Sequence, residues 1–128
     1  MPNQPEKHLY EYAVIRFMPR VEREEFVNVG LVMMCKRRRW IKIAVKFDEK
    51  RIHALFGETD CGTVADQLES FRRVAEGKDV HSGQMDVHER FRWLTAMRSA
   101  CITTSRPHPG LTSDLDATFD RLFSELVE

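Results

Sequence analysis

The chain has 128 residues, 42% of them apolar and 31% charged, which places it among globular chains rather than disordered ones and sets one domain over residues 1–128 as the expectation. No apolar run approaches the roughly 20 residues of a membrane-spanning helix, and the opening residues lack an apolar signal region, so a cytoplasmic location with no membrane partner is expected. Net charge is zero but uneven: residues 1–56 carry 12 Lys/Arg against 7 Asp/Glu and residues 57–128 carry 8 against 13, an asymmetry that can steer a charged partner without specifying nucleic acid.

Residues 1–8 are polar, contain two prolines and read as a loose tail. Leu9 to Phe17 is rich in aromatic and β-branched residues, which predicts a strand ended by Pro19. A charged link, Arg20 to Glu25, leads into Phe26 to Cys35, a run apolar on both faces and therefore predicted as the central strand. Asn28 and Gly30 interrupt that run at alternate positions, which puts them on one face. After the turn Lys36-Arg37-Arg38-Arg39, residues Trp40 to Phe47 alternate. Ile41, Ile43, Val45 and Phe47 point one way and Trp40, Lys42, Ala44 and Lys46 the other, predicting a strand with one face in the core and one in water. Three strands with short links suggest an antiparallel meander.

The period then changes. Asp48 is read as the cap of a short helix carrying Ile52, Leu55 and Phe56 and stopped by Gly57. Thr63 with Asp66 forms a capping-box pattern before the stripe Val64, Leu68, Phe71 and Ala75, and Gly77 ends that helix. Asp86 opens a third helix with Val87, Phe91 and Leu94 in line. The β-branched content around Ser99 to Thr104 hints at a returning strand. Arg106-Pro107-His108-Pro109-Gly110 is expected to be extended or turned, because a residue before proline is pushed out of the helical region. Ser113 with Asp116 is read as the cap of a last helix whose apolar face is Leu115, Phe119, Leu122, Phe123 and Leu126. The fold class expected is α+β: an antiparallel three- to four-stranded sheet, mostly an N-terminal meander, with helices packed on one face. Its core is expected to hold Val14 or Ile15, Val29, Leu31, Ile43, Val45, Leu68, Phe71, Phe91, Leu94, Phe119 and Leu122.

Three segments, in this order, carry a family resemblance: Tyr12-Ala-Val-Ile-Arg-Phe-Met-Pro-Arg-Val-Glu-Arg-Glu-Glu-Phe-Val-Asn-Val-Gly30, then Glu89-Arg-Phe-Arg-Trp-Leu-Thr-Ala96 with Arg98-Ser99, then His108-Pro-Gly-Leu111. Together they resemble the bacterial family catalogued as domain of unknown function 3037, and the similarity spans nearly the whole chain. The chain departs from the pattern at Pro109, where a small hydroxylated residue is expected, and at Met97, where proline is expected. The resemblance brings no activity. It implies one partner, since members are sometimes encoded near kinases resembling the HipA toxin.

Four groups of residues are candidate binding sites, each with a structural alternative. Glu25, Asn28 and Gly30 form either a polar site on the central strand, approached closely at the glycine, or a bulge and packing position. Arg90, Trp93, Arg98 and Ser99 form either an anion clamp, since arginine holds carboxylate or phosphate with a rigid fork, or a structural ion pair beside a core tryptophan. His108 sits on a stiff proline-flanked loop as an acid/base or as a cap. Arg37, Arg38, Arg39 and Trp40 form either a nucleic-acid contact or a solvated turn tip.

No catalytic constellation is present in the pattern. The five histidines are not paired at ligand spacing with each other or with Cys35, Cys61 and Cys101, so no metal is expected, and no phosphate-cradling glycine loop calls for a cofactor. The three cysteines are not a disulfide framework. The leading reading is a small non-enzymatic interaction domain, with a HipA-like kinase as the partner that the resemblance implies. The alternatives are a nucleic-acid or nucleotide-binding module, and an enzyme acting on an anionic small molecule through His108 and Arg98.

Overall fold

A computed structural model of the chain describes residues 6–96 and 101–128. The first strand, β1 (His8–Arg20), runs past Pro19, which corrects the expectation that the proline ends it: the register shifts between Phe17 and Arg20, and pairing with β2 resumes at Arg20↔Glu25. A single 3-10 turn, Val21–Arg23, connects it to β2 (Glu25–Cys35), and the basic turn connects β2 to β3 (Trp40–Val45). Helices α1 (Glu49–Phe56), α2 (Cys61–Ala75) and α3 (Val87–Ala96) follow. Then come two short strands, β4 (Ile102–Thr104) and β5 (His108–Thr112), and the final helix α4 (Leu115–Leu126).

The α+β class and the antiparallel sheet stand as expected, with five strands rather than three or four. The order is β3-β2-β1, and the far side of β1 is shared by β4, against Ile15 to Phe17, and β5, against His8 to Tyr12. Ser105 ties the junction between those two short strands. Its amide donates to the Val14 carbonyl at 2.8 Å, its Oγ accepts from the Val14 amide at 2.8 Å, and its hydroxyl donates to the Arg106 carbonyl at 3.0 Å. Ser105 is buried, so the Ser105→Ala variant leaves the Val14 N–H without its acceptor. The expected loss is about 1–3 kcal/mol, read by chemical denaturation; an unchanged midpoint would remove this role from Ser105.

Helices cover both faces of the sheet, which corrects the expectation of one face. Ala13, Ile15 and Phe17 of β1 meet α1, α2 and α3 through Ile52, Leu68, Phe71, Phe91 and Leu94. Tyr10, Val14, Leu31, Met33 and Cys35 meet α4 through Leu115, Phe119 and Leu122 on the other face. The cause lies in β3, where Trp40 and Ala44 pack into the α4 cluster although Lys42 between them suggests a wet face. The Lys42 stem spans the boundary, its ammonium 3.2 Å from the Asp116 carboxylate and 5.0 Å from the Phe119 ring. Of the expected core, Ile43 and Val45 are half-buried because β3 is an edge strand, and the others are buried.

Two caps shift by a few residues from their expected places. Asp60, not Thr63, caps α2: its carboxylate accepts from the Thr63 amide at 3.1 Å and the Thr63 hydroxyl at 2.6 Å, and these bonds hold its carboxyl below the ordinary range. Asp114, not Ser113, caps α4 through the Ala117 amide at 3.0 Å. In both cases a nearby carboxylate, three residues before Thr63 and one residue after Ser113, takes the place of a hydroxyl as acceptor for the first free amides.

Candidate functional site

The residues expected to act around Asn28 do not converge. Glu25 is exposed at the start of β2 and pairs with Arg23. Asn28 faces α4, where its Nδ2 donates to the Leu126 carbonyl at 2.9 Å. Gly30 faces the other way, opposite Ile15 and Val45. The register steps from Ile15↔Gly30 to Arg16↔Asn28, so Val29 is an extra residue in β2. That bulge flips the alternation and puts Asn28 and Gly30 on opposite faces, correcting the shared face that simple alternation implies. A Cβ at Gly30 would lie 2.9 Å from the Ala44 carbonyl oxygen and 3.1 Å from Ile15 Cδ1, so the glycine admits neighbouring strands closely.

On α3, Arg90 and Trp93 are engaged separately. The Arg90 Nε donates to the carbonyls of Ser82 at 3.1 Å and Met85 at 3.0 Å, and its guanidinium lies against Gly77, tying the turn between α2 and α3. Trp93 is 43% exposed and stacks on His81 with ring centroids 6.3 Å apart. Arg98 and Ser99 lie outside the described residues. His108 is exposed on β5, opposite Tyr12, with their rings 5.2 Å apart.

The basic turn is placed differently. Arg39 takes a positive φ of 51° and its amide closes the turn on the Lys36 carbonyl at 3.2 Å. Trp40 turns into the α4 cluster. Lys36, Arg37 and Arg39 instead line a groove of about 710 Å³, together with Lys7 and Leu9 of the β1 end, Leu111 of β5 and the start of α3 at Asp86, Val87 and His88. Leu9 and Leu111 are register partners, 63% and 64% exposed, so they form one apolar floor. Among the described residues no carboxylate pairs with Lys7, Lys36, Arg37 or Arg39, and residues 1–5 and 97–100 contain no Asp or Glu. The far wall is braced: Arg92 donates to Glu11 at 3.2 Å and to His88 Nε2 at 3.4 Å. This groove is the candidate site. Its two leucines have no sequence signal, because their pairing depends on the β1–β5 register.

A second juxtaposition has no signal in the sequence. Cys61 Sγ lies 3.4 Å from His53 Nε2. Partial burial pushes the thiol up, and Glu49 and Asp60 push it the same way, which opposes a thiolate nucleophile. Among the described residues no group of three or more His, Cys, Asp or Glu could hold a metal ion, and no helix is long and apolar enough to cross a membrane.

None of the curated proteins and none of the solved structures matches the chain significantly. The model of one family, described as a protein of unknown function (DUF3037), matches residues 12–127, and the chain belongs to that family.

Proposed function

We propose that the chain is a non-enzymatic interaction domain whose docking surface is the groove between the basic turn, the β1–β5 end of the sheet and the start of α3. Its occupant is an acidic segment of a partner protein anchored by an aliphatic side chain. The observation that carries this reading is the set of four cations without carboxylate partners around Leu9 and Leu111. Exposed apolar surface rimmed by charge is typical of protein docking sites. A nucleic-acid reading is favoured by large stacking rings beside the cations, and among the described lining residues the one ring is the His88 imidazole, with no Phe, Tyr or Trp. Three free thiols suit a reducing, cytoplasmic setting. A kinase resembling the HipA toxin, which the family resemblance implies, is the first protein partner to test.

The test is calorimetric titration of the protein with a peptide of Asp and Glu flanking a central leucine, against a single-stranded oligonucleotide of equal charge. The expected result is tighter binding of the peptide, weakened by salt and weakened again when its leucine is replaced by serine. Tighter binding of the oligonucleotide would overturn the reading in favour of a nucleic-acid module.

A further inference from the structure

Where α4 ends, three adjacent strands each place one polar side chain in a single row. Thr103 of β4 and Asn28 of β2 are both register partners of Arg16 on β1, and directly paired residues project from the same face. Arg16 is half-buried, with its guanidinium carbon 4.2 Å from the centroid of the Phe26 ring. Phe26 is itself 43% exposed. The Nε of Arg16 is buried and, among the described residues, has no hydrogen-bond partner. The same holds for Oδ1 of Asn28, whose amide orientation is set by the bond from Nδ2 to the Leu126 carbonyl. No carboxylate pairs with Arg16 among the described residues, and the remaining residues contain none.

Each of these groups sharpens the chemistry of what would bind. A guanidinium stacked on a ring and without a counter-charge matches a planar oxyanion, which it grips with two parallel N–H bonds. The Asn28 oxygen adds a second condition. Its lone pairs repel a bare oxyanion but accept from an adjacent N–H or O–H. We propose that Arg16, Asn28 and Thr103 bind a carboxylate that carries its own hydrogen-bond donor, the chemistry shared by a peptide C-terminus and a free 2-hydroxy acid. The carboxylate spans the Nε and a terminal nitrogen of Arg16, the Thr103 hydroxyl donates to one of its oxygens, and the ligand's N–H or O–H donates to Asn28 Oδ1. Both unmet groups are then satisfied by one ligand. The row lies on the face covered by α4, opposite the groove, so it stands independently of the interaction reading.

The experiment is nuclear magnetic resonance titration of the full chain, following the Arg16 Nε–H and the Asn28 side-chain amide. The probes are N-acetylglycine, lactate, acetate and inorganic phosphate. N-acetylglycine or lactate is expected to shift both signals, with acetate binding about tenfold more weakly because it leaves Asn28 Oδ1 unmet. A preference for N-acetylglycine identifies a chain terminus as the ligand, and a preference for lactate identifies a free acid. The Arg16→Lys variant keeps the charge but loses the fork, and is expected to bind at least about tenfold more weakly while its backbone spectrum stays folded. Acetate or phosphate binding as tightly as both donor-bearing probes would overturn the proposal. So would the absence of any shift at Arg16 and Asn28, or full binding by a folded Arg16→Lys variant.

Discussion

Replacing Arg37 and Arg39 together by glutamate is expected to weaken binding of an acidic partner segment by about a hundredfold or more, since two attractive charges become two repulsive ones at the groove rim. Both residues are exposed and, among the described residues, pair with no carboxylate, so the fold loses little when they change. Long-range attraction falls with salt over a Debye length of about 8–10 Å. The variant should therefore lose both affinity and salt sensitivity, with an unaltered unfolding midpoint. Changing Arg38 instead is the matched control: it has the same charge in the same turn but does not line the groove. Equal losses from Arg38→Glu and from either neighbour would show that only net charge matters and that the groove has no shape of its own.

The largest stability effect is expected at Phe17. It is fully buried, near the C-terminal end of β1, between Val27 on β2 and Ile102 on β4. The rings of Phe47 and Phe56 meet it edge-on at 6.0 and 5.8 Å. Phe17→Ala removes the ring, leaves a cavity that three strands and α1 cannot close, and breaks both edge contacts. The expected cost is about 3–5 kcal/mol, against a typical total of about 5–15 kcal/mol. Urea denaturation measures it directly. Val80→Ala, at a side chain 83% exposed, is expected to stay within about 0.5 kcal/mol. A Phe17 variant as stable as the Val80 variant would contradict the placement of the core on the α1–α3 side of the sheet.

The meander is legible in the sequence because alternation and β-branching are local signals, and the helices are legible because caps and stops are. Asp48 and Gly57 bracket α1 as their chemistry suggests. What escapes is whatever depends on partners far along the chain. β5 is only half legible, because Arg106 to Gly110 reads as extended or turned and its prolines do not signal a strand, yet an edge strand tolerates proline. Gly110 is needed there, since a Cβ would lie 2.3 Å from the Tyr10 hydroxyl. A bulge is one of the two readings the sequence offers for Asn28 and Gly30, but its place at Val29, and with it the separation of Asn28 from Gly30, is set by the pairing with β1. In the candidate site the arginines of the turn are visible in the sequence. Their alignment with Lys7, Leu9 and Leu111 is made by a pairing of strands about a hundred residues apart.

The interaction reading is tested most directly by mapping the acidic leucine-containing peptide onto the protein by residue-resolved chemical shifts. The result predicted is a contiguous set of changes at Leu9, Leu111, Lys36, Arg37, Arg39 and Val87, with Trp40 and Trp93 unmoved. Changes centred on Trp93 and His81 or on β3, or saturating binding that leaves Leu9 and Leu111 unperturbed, would contradict it.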